Sequence, residues 1–186
     1  MDLDGVLLAR HGETDDNLEP PRFQGFTDTP LNATGRRQAA DLADAIAARR
    51  TPIGSLWSSD LSRARVTAEI VGDRVDLAAT LDPRLREGFR GRWEGHLFAE
   101  VQRDEPERYA AWRRAGPDFR FPGGESLLEQ QQRVSAALSD IHRVGPLPAL
   151  VVCHGGSIRV MLCASDSRGL NAFHDFQVPN VAVVSL

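Results

Sequence analysis

Two short stretches of this chain, Val6-Leu7-Leu8-Ala9 and Ala149-Leu150-Val151-Val152-Cys153, are apolar without alternation. A strand with one face in water alternates, so these runs belong to strands covered on both faces. Between them, apolar residues recur at helical spacing. Ala39, Leu42, Ala43 and Ile46 mark a helix between Thr34 and Arg49; Leu127, Gln131, Val134, Leu138 and Ile141 share a stripe that is apolar apart from Gln131. Ile53 to Trp57 reads as another strand, and Ser58-Ser59-Asp60 as the N-cap of a helix reaching Val71. Ser126-Leu127-Leu128-Glu129 has the capping-box pattern, Gly155 opens a helix to about Cys163, and Val181 to Leu186 closes the chain as a strand. Such alternation predicts an α/β fold, a three-layer sandwich whose mostly parallel central sheet carries helices on both faces.

The 186 residues suit one domain, 1–186, since no repeat or long linker divides them. Gly12 to Asn32 is a long polar loop, a kind usually functional in compact domains. Residues 88–122 read as an irregular, cap-like segment rich in aromatic residues. Phe98, Tyr109 and Trp112, with Phe23 and Phe26, either cover a substrate or form a core.

The net charge of −4 argues against nucleic acid or a membrane surface as partner. Every basic residue is arginine, which excludes a Schiff-base or P-loop lysine. The acidic start Met1-Asp2-Leu3-Asp4 has no apolar signal core, and no stretch approaches the roughly 18 apolar residues of a membrane span. Cys153 sits inside an apolar strand, so a disulfide framework is not expected and a reducing, cytoplasmic setting is.

Sites in parallel sheets form beyond the carboxyl ends of the strands. That rule selects Arg10-His11-Gly12, the run Ser58 to Arg63, and His154-Gly155. Arginine suits bidentate recognition of phosphate, neutral histidine can act as a base or nucleophile, and helix N-terminal amides favour an anion. Two histidines and two arginines at three separate strand ends point to one shared anion site.

The chain resembles the histidine phosphatase superfamily, the phosphoglycerate-mutase-like group. The matching pieces are Arg10-His11-Gly12-Glu13-Thr14 with Asn17, Arg22-Phe23-Gln24-Gly25 with Asp28 and Pro30-Leu31, and Ser58-Ser59-Asp60-Leu61-Ser62-Arg63-Ala64 with Thr67-Ala68-Glu69. They continue through Leu85-Arg86-Glu87, Gly91-Arg92-Trp93-Glu94-Gly95, Pro122-Gly123-Gly124-Glu125-Ser126, His154-Gly155-Gly156 and Asn180, in family order over nearly the whole chain. The resemblance implies a phosphoglycerate-mutase-like fold and a catalytic set of His11, Glu87, Arg10, Arg63 and His154. His11 would be the nucleophile that becomes phosphohistidine. Arg10, Arg63 and a protonated His154 would surround the phosphoryl oxygens, with Asn17 and the Gly155 amide assisting. Glu87 would protonate the leaving alcohol and later take a proton from water, so it must carry a proton near neutral pH, which a neighbouring phosphate dianion would favour. Gln24 and Gly25 would reach the substrate from the long loop, and no metal or other cofactor is implied. Ser58 and Ser59 either orient His11 or cap a helix, and Glu13 ties the first loop down. His96, His142 and His174 read as surface or structural residues.

Gly88-Phe89-Arg90 departs from the family pattern. Arg90 either points inward, lowering the pKa of Glu87 or binding a second acidic group, or points outward as a surface charge; the outward reading is the expectation. The chain also ends on its last strand, at Leu186, without the tail that covers the site in the mutases. Water should therefore reach the intermediate, and the expected activity is a metal-independent phosphomonoesterase acting on a small phosphorylated metabolite. The alternatives are a mutase-type phosphotransferase and a non-catalytic phosphate-binding module. A metallohydrolase lacks a local ligand cluster to support it. The sequence leaves association into a homodimer open.

Overall fold

A computed structural model describes residues 3–186; Met1 and Asp2 of the acidic start lie outside the described residues. Five strands form one sheet in the order β3-β2-β4-β1-β5. These are β1 (Val6–Arg10), β2 (Ser55–Ser58), β3 (Thr80–Leu81), β4 (Ala149–Cys153) and β5 (Val183–Ser185). β3, β2, β4 and β1 run parallel to one another, and only β5 is antiparallel, pairing with β1 through Leu8 and Val184. The mostly parallel sheet follows from the two apolar runs, which lie side by side with Val6 opposite Ala149 and Arg10 opposite Cys153. That register brings Arg10-His11 and His154 to one edge.

The pleat sends alternate residues of β1 to different cores. Val6 and Leu8 pack with Val134, Leu138 and Ile141 of α5 (Leu127–Val144) and with Ile158 and Met161 of α6 (Gly155–Ala164). Leu7 and Ala9 pack with Leu42 and Ile46 of α1 (Ala33–Ala47) and with Ala64, Ala68 and Val71 of α2 (Ser62–Val75). The result is the expected three-layer sandwich. Among the described residues, no helix is long and apolar enough to cross a membrane.

Local chemistry sets the helix starts. Asn32 Oδ1 accepts from the Gly35 amide at 2.8 Å, and Ser126 and Glu129 exchange the two bonds of the capping box. The Ser58-Ser59-Asp60 cap is a correction: the N-cap is Leu61, and the distant Asp28 accepts the Ser62 amide at 2.6 Å instead. The segment 88–122 is more regular than expected. It holds α3 (Phe98–Asp104) and α4 (Pro106–Arg114), each short and turning few residues inward, Phe98 and Val101 from the first and Tyr109, Ala111 and Trp112 from the second.

Gly12 and Gly35 press the first loop onto the start of α1. A Cβ on Gly12 would collide with the carbonyl oxygen of Gly35, and one on Gly35 with the carbonyl of Glu13. Backbone cannot move aside cheaply, so Gly35→Ala is expected to cost about 1–3 kcal/mol. Thermal melting read by circular dichroism should show this loss; an unchanged melting temperature would mean that the loop can shift freely.

Candidate active site

β1 delivers Arg10 and His11 to a cavity of about 250 Å³, whose lining also includes Asn17, Gln24, Glu87 and, just beyond β4, Gly155. The rings of His11 and His154 lie 5.1 Å apart, edge to face. The two strand-end histidines therefore share one site.

His11 is buried, and its Nδ1 lies 2.6 Å from the carbonyl oxygen of Gly12. A carbonyl only accepts, so Nδ1 carries the proton and Nε2 keeps a free lone pair. Burial, then Arg63 and Arg10, push the imidazole well below its ordinary pKa, despite the Gly12 bond. The ring is thus a neutral nucleophile even in mild acid. Asn180 fixes the backbone here by donating to the His11 carbonyl at 3.0 Å.

The guanidinium of Arg63 is fully buried. Its Nη1 and Nη2 donate to the carbonyls of Thr27 and Gly25, both at 2.8 Å, and its Nε has no protein partner. Arg10 donates through Nη1 to the carbonyl of Val178 at 2.7 Å and likewise leaves Nε buried and unpartnered. Burial lowers Arg10 to about 10, so it stays charged at neutral pH. His154 places Nε2 2.9 Å from Ser59 Oγ and leaves Nδ1 without a partner. Ser59 Oγ accepts from the Leu61 amide, and we assign its hydroxyl hydrogen to Nε2, the tautomer that keeps the ring proton on Nδ1. Three buried nitrogens from three strand ends are therefore unsatisfied around His11. Buried donors left unpaired are costly, and their clustering marks a place built for an anion.

Two protonation expectations change. His154 was expected to be protonated, but burial, Arg63, His11 and Arg10 hold its pKa well below the ordinary value. It serves as a neutral N–H donor. Glu87 was expected to carry a proton, and burial does favour that form, but it is outweighed. Arg90, the amides of Gly88 and Gly156 and the Gln130 carboxamide bring Glu87 down to about 2. Its Oε1 accepts from Gly88, Gln130 and Arg90 at 2.8, 2.8 and 3.0 Å, and its Oε2 from Gly156 at 2.8 Å. Glu87 is thus an ionised, firmly held carboxylate.

Arg90 is a further correction. It faces inward, only 8% exposed, because Glu87 and the face of Phe121 give its charge and stem a buried seat. Gln130, fully buried, is a residue the sequence reading missed; it, and not Gln131, is the polar member of the stripe. Gln131 instead donates to the carbonyl of Val160. Position 130 is three residues after Leu127 and four before Val134, a spacing that could have revealed it. Arg159 is a second missed residue of the cavity. Arg133 is a third: it braces the Glu87 segment through the carbonyls of Arg84, Arg86 and Glu87.

Other expected residues take more modest places. Asn17 Oδ1 is used by the Thr14 amide and by Asn180. Gln24 donates to Thr14 Oγ1 at 2.6 Å, and the Gly25 carbonyl is committed to Arg63. Glu13 accepts from Asn32 within the loop. Phe23, Phe98 and Trp112 belong both to the aromatic core and to the cavity wall, so the two readings of the cap merge. Phe26 and Tyr109 are not in the wall; Phe26 stacks on Phe89 and Tyr109 on Trp112. His174 Nε2 donates to the Trp112 carbonyl at 2.8 Å, and His96 is exposed. Cys153 and Cys163 are free and buried, and burial raises the Cys153 thiol to about 12. Among the described residues, no group of three or more His, Cys, Asp or Glu side chains is placed to hold a metal ion.

The chain and its fold are similar to those of known proteins. Residues 6–186 match the family model of the histidine phosphatase superfamily (branch 1). The chain is 42% identical over 174 residues to "Probable phosphoglycerate mutase GpmB" of Enterobacter sp. (strain 638), covering 90% of this chain and 76% of that protein. It is 33% identical over 168 residues to glucosyl-3-phosphoglycerate phosphatase of Mycobacterium tuberculosis (strain H37Rv), covering 86% and 74%. Among solved structures, a mycobacterial glucosyl-3-phosphoglycerate phosphatase in complex with VO3 superposes with a TM-score of 0.85 at 30% identity, over 96% of this chain and 88% of that one. The α-ribazole phosphatase from Shigella flexneri gives 0.81 at 26% identity, over 96% and 87%.

Proposed function

Because the chain belongs to the histidine phosphatase superfamily, we propose that it hydrolyses small phosphomonoesters without a metal ion, through a phosphohistidine on His11. The observation that carries this reading is the convergence of unpartnered nitrogens from Arg10, Arg63 and His154 around a neutral imidazole. Phosphoryl transfer depends on positioning and on meeting charge at the equatorial oxygens, and these groups supply both. The Gly155 amide, first in α6 and without an intrahelical acceptor, adds a further donor.

In the first step the Nε2 lone pair of His11 forms the N–P bond as the bond from phosphorus to the ester oxygen breaks in line. The leaving alkoxide needs a proton. Glu87 is ionised, so that proton enters with the substrate, whose phosphoryl group is partly monoanionic near pH 6. In the second step water attacks phosphorus from the side the alcohol left, the N–P bond breaks, and Glu87 accepts the proton of water. A cytoplasmic location and a small-molecule partner belong to the same proposal.

The similarity to a protein named as a mutase supports a second reading, in which the phosphohistidine passes its phosphoryl group to another alcohol. One experiment separates the two. A ³²P-labelled monoester is mixed with the protein and quenched in alkali, and free phosphate is followed in parallel with excess chelator present. The expected result is a protein-bound label that survives alkali but not acid, with steady phosphate release that the chelator does not touch. Label passing between esters without net release would favour the mutase, and the absence of any label would reject both.

A further inference from the structure

The run Gly91-Arg92-Trp93-Glu94-Gly95 lies outside the cavity lining and takes no part in the steps on phosphorus. Its carboxylate serves two amides and a hydroxyl. Glu94 Oε1 accepts from the Phe26 amide at 2.8 Å and from the Arg90 amide at 3.0 Å, and Oε2 accepts from Thr27 Oγ1 at 3.3 Å. One side chain thereby joins the loop around Phe26 to the segment that follows Glu87.

That loop seats Arg63. Residues 24–27 form a turn, closed by the Thr27 amide on the Gln24 carbonyl at 3.0 Å, with Gly25 at φ 57°. The carbonyls of Gly25 and Thr27, one on each side of Phe26, hold the Arg63 guanidinium, both at 2.8 Å. Among the described residues no carboxylate bonds to that group; the acidic residues act on it only from a distance. The direction in which Arg63 presents its unpartnered Nε therefore depends on where three residues of backbone stand. Asp28 fixes one end of them by accepting the Ser62 amide at 2.6 Å, at the start of the helix that carries Arg63. Glu94 fixes the middle. Gly25 has to be bare, since its left-handed backbone disfavours a side chain and a Cβ there would collide with Glu94 Oε1.

We infer that Glu94 is a positioning residue for the phosphoryl cage, holding the 25–27 backbone that aims Arg63 while touching no substrate itself. This deepens the phosphatase reading, on which it rests for what the cage holds. Arg63 is the dependent group, and Glu87 is not, because their anchoring differs. Arg63 has two anchors, and both flank the amide that Glu94 holds. Glu87 has four donors, and only Arg90 among them has its own backbone bound to Glu94. Without the carboxylate, Phe26 keeps its ring contacts with Phe89 and Arg86, so the turn persists while its peptide planes are released. A donor contributes in full only while it is aimed at the oxygen it stabilises, so a small swing of the guanidinium is costly.

The test uses the full chain, with orthovanadate as the probe of the cage. Glu94→Ala is expected to weaken orthovanadate binding about tenfold, measured by calorimetry, and to lower kcat/KM about 10- to 100-fold. The loss should be the same for an alkyl and an aryl phosphate, since Glu87 keeps its donors. Glu94→Gln should hold binding within about threefold, because its carboxamide oxygen still serves both amides and its NH2 group faces Thr27 Oγ1. In an Arg63→Met background Glu94→Ala should add less than about threefold, whereas independent effects would multiply in full. Should circular dichroism show Glu94→Ala to be unfolded, Glu94→Asp, one methylene too short to reach both amides, replaces it in the same cycle. Effects that multiply, an unchanged vanadate affinity in the folded variant, or a loss confined to alkyl esters would each overturn the inference; the last would move the action of Glu94 to Glu87. If no ester is hydrolysed but the binding cycle behaves as expected, the phosphatase reading fails and the role of Glu94 remains.

Discussion

His11→Ala is expected to lower phosphate release from any monoester by at least about 10⁴-fold, while the protein still binds inorganic phosphate. The reason is that a single atom, the lone pair of Nε2, has no substitute in the cavity. Burial holds the thiol of Cys153 near 12, so it is not a nucleophile at neutral pH. Glu87 is a carboxylate tied to four donors. Binding survives because Arg10, Arg63 and His154 remain in place. His154→Ala should differ sharply, slowing turnover by about 10²–10³, the usual loss for one preorganised donor. Sequence logic treats the two histidines alike, as strand-end residues followed by glycine. The geometry separates them: His11 gives its proton to Gly12 and keeps Nε2 free, whereas the Ser59 hydroxyl occupies Nε2 of His154 and leaves a donor. Steady-state kinetics on both variants, with circular dichroism to show that each is folded, would decide the matter. Equal losses would show that the roles have been assigned wrongly.

The sequence carried the layers and the strand-end residues because both are local patterns. Non-alternating apolar runs report a covered sheet, and Arg10, His11 and His154 stand immediately beyond such runs. Arg63 was reached by the same rule, as the last residue of the run that follows β2, although a turn and the start of α2 separate it from that strand. What could not be read depends on partners far away in the chain. The cap of α2 is Asp28, 34 positions from Ser62. The inward turn of Arg90 requires Phe121 and the position of Glu87 to be known together. A two-residue strand such as β3 leaves no periodic signal, and the antiparallel course of β5 is a matter of topology, not of composition. The protonation states failed for the same reason. A motif specifies which groups are present, but burial and the count of nearby arginines decide which of them hold protons.

Glu87→Gln is expected to slow alkyl phosphates by about 10²–10⁴ and aryl phosphates far less, because a phenolate leaves without needing a proton. Glutamine keeps the shape of the side chain but cannot pass a proton to the alkoxide or receive one from water. Its oxygen can still accept from Gly88, Gln130 and Arg90, leaving only the Gly156 amide without this acceptor, so the pocket should stay assembled. The pH dependence of the unaltered enzyme follows from the same geometry. The groups around the reacting atoms are His11, His154, Glu87, Arg10, Arg63, Arg90 and Arg159. Glu87 is held at about 2, Arg10 at about 10, and His11 well below its ordinary range. Between these limits the ionisation that matters for kcat/KM is that of the substrate phosphate, near pH 6. The active combination contains one proton shared between Glu87 and the phosphoryl group. Because Glu87 is the far stronger acid, that proton resides on the substrate below about pH 6 and is lost above it. Accordingly kcat/KM should be flat through mild acid and fall about tenfold per pH unit on the alkaline side. An acid limb near pH 6 to 7 with an alkyl ester would show that His11 or Glu87 titrates there, and that the cations and amides around them do not exert the control described.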